Sequence, residues 1–101
     1  MSVPQLSAED RAAALARAAE ARAHRREVRE ALSEGRLSVG DVLSSEDPFD
    51  RKMRVSALIS AMPGYGPKRA AKLMRDCAIS EERRVGGLGV RQREALLAKL
   101  G

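Results

Sequence analysis

The sequence predicts an all-α protein made of one long N-terminal helix and a compact bundle of short helices. The first observation is composition, because the 101 residues are rich in alanine, leucine, arginine and glutamate, which favour helices. The second is that apolar residues recur at helical spacing, and no stretch alternates as a half-buried strand does. With Tyr65 and Phe49 as the only two aromatic residues, we expect a thin, aliphatic core.

A long first helix is predicted between Ser7, a residue type that caps helix starts, and Gly35, a type that ends them. Only Val28 and Leu32 on its weak apolar stripe can bury much surface. We therefore expect an arm over residues 1–35, docked through its C-terminal part, and a compact domain over 36–101. Five arginines give this helix a cationic side, and we expect that side to face solvent instead of contacting a ligand. They are Arg17, Arg22, Arg25, Arg26 and Arg29.

Further helices are predicted from capping residues and apolar stripes. They begin at Ser38, Pro48, Pro67 and Val90. The helix from Pro48 follows a capping Asp47 and is expected to run unbroken to Met62, with an inward stripe of Val55, Leu58, Ile59 and Met62. Ser80 is expected to cap one short turn before the last helix.

Charge is divided unevenly along the chain. Residues 1–50 hold 7 basic against 10 acidic side chains, a formal charge of −3, whereas residues 51–101 hold 12 against 4, which is +8. This distribution predicts a polyanionic partner, with a nucleic-acid surface in the second half. A merely soluble basic protein is the alternative.

The segment MPGYGPKRAAKLM, residues 62–74, places a glycine hairpin directly before a cationic helix. Gly64 and Gly66 tolerate positive φ and carry no side chain to block an approaching group. The first turn of the helix adds unpaired amides and partial positive charge, so the hairpin is suited to a phosphate. Nearby cations would surround that phosphate: Lys68, Arg69 and Lys72. The pattern is similar to the helix-hairpin-helix motif of DNA repair and replication proteins; the alternative is a tight turn whose glycines serve geometry only.

A second segment, VGGLGVRQREALL, overlays on the first. Gly64 aligns with Gly87, and Gly66 with Gly89. The overlay predicts a second backbone anion site, so that two phosphates would be held, flanking one minor groove. Basic residues surround it: Arg83, Arg84, Arg91 and Arg93.

Catalysis and metal binding are poorly supported. His24 lies among arginines and has no ligand partner at metal spacing. Cys77 lacks a local base and is expected to be a small buried hydrophobe. We expect no enzyme, cofactor, metal or small-molecule substrate. The lone cysteine, the polar N-terminus and the lack of a long apolar run predict a cytoplasmic protein without a membrane partner.

Nearly the whole chain resembles the actinobacterial integration host factor family, most specifically in KMRVSALI and RRVGGLGVRQR. The resemblance implies a nucleoid-associated protein whose helix–two-turns–helix element binds and bends DNA. By resemblance, the family's hairpin and basic turn fall on Gly64, Tyr65, Gly66, Lys68, Arg69, Arg83 and Arg84. In the family the turn often reads R-R-x-R before G-L-G. Here Gly86 replaces the last basic residue of that pattern, so one phosphate contact is expected to be missing.

Three functions are compatible with these features. The leading hypothesis is sequence-tolerant binding of duplex DNA by a monomer, through phosphates on the minor-groove side. The second is binding of double-stranded RNA or the ribosome, because similar elements hold A-form helices through the backbone. The third is docking of the first helix on a protein, which its small alanine side chains make the weakest.

Overall fold

A computed structural model describes residues 7–100, so the first six residues of the predicted arm and Gly101 lie outside the description. Within this range the chain forms helices and a 3-10 turn at Val85–Gly87, with no strand. The helices are α1 (Ala8–Ser33), α2 (Val39–Leu43), α3 (Pro48–Arg51), α4 (Val55–Ala61), α5 (Pro67–Asp76) and α6 (Val90–Leu100). The all-α prediction is confirmed. None of the described helices is long and apolar enough to cross a membrane.

Reciprocal side-chain caps start the first two helices. The Ser7 hydroxyl accepts from the Asp10 amide at 3.0 Å, and the Asp10 carboxylate accepts from the Ser7 amide at 3.2 Å. Ser38 and Asp41 repeat the arrangement at α2. Hydrogen bonds from the backbone amide and then the hydroxyl of Ser38 hold the pKa of Asp41 below its ordinary value. Both helices thus begin where the sequence predicts.

The first helix meets the core through its C-terminal part. Val28 and Leu32 are its two buried residues. After α1, Gly35 takes a φ of +76°, the left-handed conformation that commonly ends helices. The division of the chain into an arm and a compact domain stays a prediction.

A side-chain latch also fastens α1 to α3. The ring of His24 contacts the Asp50 carboxylate and lies 5.6 Å from the Phe49 ring, centroid to centroid. Asp50 also accepts from the Ser45 hydroxyl at 2.6 Å. The prediction that His24 has no partner at ligand spacing was wrong, since the potential ligand atoms of His24, Asp47 and Asp50 all lie within 4.8 Å of one another. These carboxylates lie on another element, so spacing along α1 does not reveal them.

The helix predicted from Pro48 to Met62 is broken into α3 and α4. Arg54 between them is extended, with φ −75° and ψ 136°. It forms an isolated antiparallel bridge with Arg84. The prediction of one helix was wrong because the apolar stripe is compatible with an unbroken helix and carries no sign of a distant backbone partner.

Two backbone hydrogen bonds hold the segment before α6 against this break. The Val55 amide donates to the Arg83 carbonyl at 3.1 Å, and the Val85 amide donates to the Met53 carbonyl at 2.9 Å. These bonds satisfy the Val55 amide and the Met53 carbonyl, which an unbroken helix would have paired locally. They fix residues 83–89, the second loop, beside the end of α3.

The core is a single cluster of aliphatic and sulfur-containing side chains from α1, α2, α4, α5, α6 and their connections. The stripe predicted on α4 is confirmed for three members, which are fully buried, while Met62 packs partly buried against them. The cluster contains Val28, Leu32, Val39, Val42, Leu43, Met53, Val55, Leu58, Ile59, Ala70, Met74, Cys77, Ile79, Val85 and Leu96. Cys77 is buried as expected, and burial raises the pKa of its thiol.

Candidate nucleic-acid interface

The hairpin of residues 63–66 joins α4 to α5 with the conformation that its glycines predict. Gly64 takes a φ of +83°, and a β-carbon there would meet no atom within 4 Å. Gly66 precedes Pro67 in extended conformation, φ −117°, and its surroundings are equally open. Gly64 is therefore needed for the backbone conformation, whereas neither glycine is needed to make room within the protein.

The two glycines consequently predict different responses to alanine. Gly64→Ala should lower the free energy of unfolding by about 1 kcal/mol, because a β-carbon disfavours positive φ. Gly66→Ala is the matched control, and it should leave stability within about 0.5 kcal/mol. Urea unfolding followed by circular dichroism measures both, and equal losses would contradict the assignment.

The hairpin presents most, but not all, of the free amides that the sequence predicts. The Tyr65 amide already donates to the Met62 carbonyl at 3.1 Å, so it is not a free donor. The amides of Gly64, Gly66, Lys68 and Arg69 have no acceptor anywhere in residues 7–100. Two of these four lie in the first turn of α5, where the helix dipole adds partial positive charge. All four lie within residues 64–69, at and just before the start of α5.

The three cations on α5 differ in how they are placed. Lys68 and Lys72 are exposed and have no ionic or hydrogen-bond partner among the described residues. Arg69 instead folds back: its guanidinium donates to the Gly64 carbonyl at 2.9 Å and lies 4.6 Å from the centre of the Tyr65 ring. One arginine therefore braces the hairpin while two lysines remain available to an anion.

The second loop does not repeat the hairpin's pattern of donors. The Gly87 amide donates to the Arg84 carbonyl at 2.9 Å, within the 3-10 turn. The Gly89 amide donates to the Gln92 side chain at 3.0 Å. The prediction that both glycines offer bare amides was wrong, because each amide is already hydrogen-bonded, one within the 3-10 turn and the other to the Gln92 side chain.

Arginines supply the charge around the second loop. Arg83 donates to the Gly87 carbonyl at 3.3 Å, and Arg84 donates to the Lys52 carbonyl at 2.6 Å. Each guanidinium keeps further N–H groups, since arginine has five. Farther on, Arg91 is exposed, whereas Arg93 is half-buried and its Nε has no partner among the described residues.

An open cleft of about 510 Å³ brings Arg83 and Arg84 together with residues that the sequence did not single out. Arg51 and Lys52 enter it from the end of α3, opposite the second loop. Their only sequence signal is the basic excess after residue 50. The cleft is lined by Arg51, Lys52, Ser80, Glu82, Arg83, Arg84, Gly86 and Gly87. We call it the basic cleft.

The family model for the S13-like H2TH domain matches residues 32–100, which contain both loops. The chain is 45% identical over 103 residues to the integration host factor of Mycobacterium tuberculosis, covering 100% of this chain and 98% of that one. The chain belongs to the actinobacterial integration host factor family. The integration host factor of Mycolicibacterium smegmatis is 44% identical over 101 residues, covering 98% of this chain and 96% of the relative.

A solved structure of an integration host factor agrees with the fold. The structure described as sIHF bound to an 8bp palindromic DNA matches with a TM-score of 0.82 and 40% identity. The match covers 84% of this chain and 98% of that one. The family resemblance and the helix–two-turns–helix fold predicted from the sequence are thereby confirmed.

In this member of the integration host factor family, arginines of α1 also lie near the second loop. A smaller cleft, of about 300 Å³, is lined by Arg25 and Arg29 from α1 and by Lys52, Arg54 and Arg84. The sequence favours a solvated face for these α1 arginines. The fold places two of them beside further cations instead of acidic partners.

Proposed function

We propose that the chain is an architectural DNA-binding protein of the nucleoid that holds the phosphates of duplex DNA. The hairpin carries the proposal, because four amides without acceptors and the exposed Lys68 and Lys72 all belong to the hairpin and the first two turns of α5. Such a site binds a phosphate through the backbone, the helix dipole and full charges at once. The DNA in the structure of the 40%-identical relative supports the same partner.

In this proposal the hairpin and the second loop bind different phosphates. The hairpin holds one phosphate through Gly64, Gly66 and Lys68, with Lys72 beside them. The Tyr65 ring and the Arg69 guanidinium shape this site, while the Arg69 amide remains one of its donors. The second loop and the first turns of α6 hold further phosphates through Arg83, Arg84, Arg91 and the partly buried Arg93, with Gly87 and Gly89 fixing the loop.

Binding through phosphates makes recognition tolerant of sequence. The available groups at both loops are amides, lysines and arginines. Their contacts with phosphates position a protein on the DNA backbone but do not read the base sequence. We infer that one monomer contacts phosphates on the two sides of a minor groove. Holding these strands at a fixed spacing would bend or constrain the duplex.

Salt dependence tests the mechanism. Six to eight phosphate contacts predict a slope of log affinity against log salt of about −5 to −7. Affinity for duplex DNA should therefore fall on the order of 10³- to 10⁴-fold between 50 and 200 mM salt in a mobility-shift titration. A binding curve that is flat in salt would contradict phosphate neutralisation.

Double-stranded RNA is the second candidate partner. The observation in its favour is the matching domain model, which is described as S13-like. Backbone contacts at the two loops would also suit an A-form helix. A competition titration with DNA and RNA duplexes of equal length and sequence separates the candidates. Preference for RNA would favour this second function.

A further inference from the structure

Gly86 and Arg51 occupy the same part of the basic cleft. A β-carbon at position 86 would lie 3.2 Å from the Arg51 carbonyl oxygen, 3.5 Å from its Cβ and 3.6 Å from its Nε. The side chain of Arg51 thus crosses the bare face of Gly86. Any side chain from position 86 would therefore emerge against the Arg51 carbonyl, which would have to yield slightly, and beside the Arg51 side chain.

The surrounding backbone makes this approach a fixed feature of the fold. Arg51 is the last residue of α3, and its exposed side chain starts beside the second loop. The hydrogen bonds from Val85 to Met53 and from Val55 to Arg83 hold the loop against this point. The absence of a side chain at Gly86 is what lets the arginine from α3 cross the turn.

The charges nearby indicate what the Arg51 guanidinium does. In the described part of the chain it has no hydrogen-bond or ion-pair partner, whereas Arg83 and Arg84 each donate to a backbone carbonyl. Glu82 also lines the basic cleft, yet it forms no ion pair with Arg51. An unpaired arginine beside three other cations is unfavourable by itself, and a phosphate would relieve the repulsion while accepting two N–H donors.

We propose that Arg51 is a phosphate-binding residue of the basic cleft and supplies from α3 the positive charge that the turn lacks at Gly86. The inference rests on the proposed function, since it assigns one contact of the same DNA surface. On this proposal, the positive charge that the R-R-x-R pattern places at position 86 is not lost but is supplied from position 51.

Arg51→Gln tests the assignment directly. Losing one phosphate contact should make the salt slope less negative by about 0.9, and weaken duplex binding about eightfold at 0.1 M salt. Arg36→Gln is the matched control, because it removes the same charge from an arginine already paired with Glu34 at 2.6 Å. Its slope should not change. An unchanged slope for Arg51→Gln would overturn the proposal.

Transferring the arginine from position 51 to position 86 gives an independent test. Gly86→Arg alone should not strengthen binding by the full eightfold, because the new side chain competes with Arg51 for one place. The double variant Arg51→Gly with Gly86→Arg should recover the wild-type slope and bind within about twofold of wild type, as expected for one restored phosphate contact. Binding no better than that of Arg51→Gly would overturn the relocation.

The outcomes separate this inference from the function beneath it. If wild-type binding is flat in salt, the proposed function fails. If wild-type binding is steep and Arg51→Gln matches it, only the assignment of Arg51 fails. Circular dichroism confirms folding of each variant, and should the double variant not fold, the slope of Arg51→Gln still decides.

Discussion

Replacing Lys68 and Lys72 together by glutamate is expected to weaken binding of duplex DNA about 100-fold at 0.1 M salt. The two residues are four positions apart on α5 and therefore share one face. Loss of two phosphate contacts accounts for about 60-fold at this salt concentration, and repulsion by the new carboxylates adds the remainder. Both side chains are exposed and make no contact that the fold needs, so stability should change little.

Binding curves over a range of salt concentrations measure this effect. Lys68→Gln with Lys72→Gln should make the slope less negative by about 1.8, without the repulsion. Arg36→Glu with Lys99→Glu is the matched control, since it gives the same net charge from positions outside both loops. Equal losses for the two glutamate pairs would mean that net charge, and not the hairpin, sets affinity.

Leu58→Ala is expected to lower the free energy of unfolding by about 2–5 kcal/mol. Leu58 lies on α4 and is completely buried in the core cluster. The substitution leaves a cavity in a small core whose buried members are aliphatic or sulfur-containing. Because stabilities of domains are commonly only 5–15 kcal/mol, the change would remove a large share of the total.

Urea unfolding at fixed temperature measures the loss at Leu58. Leu15→Ala provides the matched control, because Leu15 is 69% exposed on α1. The same change of side chain should there stay within about 0.5 kcal/mol. A loss below 1 kcal/mol for Leu58→Ala would show that α4 does not anchor the core.

Features set by neighbouring residues were predictable from the sequence. The caps at Ser7 and Ser38 depend on an acid three positions on, and the hairpin depends on Gly64 reaching positive φ before Pro67. These signals are local, so the starts of the described helices follow from them, except that of α4. The resemblance to the family added the expectation that such a hairpin contacts DNA.

Features set by distant residues were not predictable. The break at Arg54 depends on backbone bonds to the second loop, and the latch at His24 depends on Asp50 of another helix. Arg51 was missed for the same reason, since its place is defined by Gly86 far along the chain. The cap on Gly89 is different, because Gln92 stands only three positions away and was a usable signal.

The stacking of Arg69 on Tyr65 has a practical consequence. The chain contains one tyrosine and no tryptophan, so near-ultraviolet emission comes from a ring that lies within the hairpin itself. Quenching or recovery of that emission during a titration would report ligand arrival at this site in the unlabelled native chain. The same signal would reveal whether the guanidinium stays stacked or swings away once an anion is present.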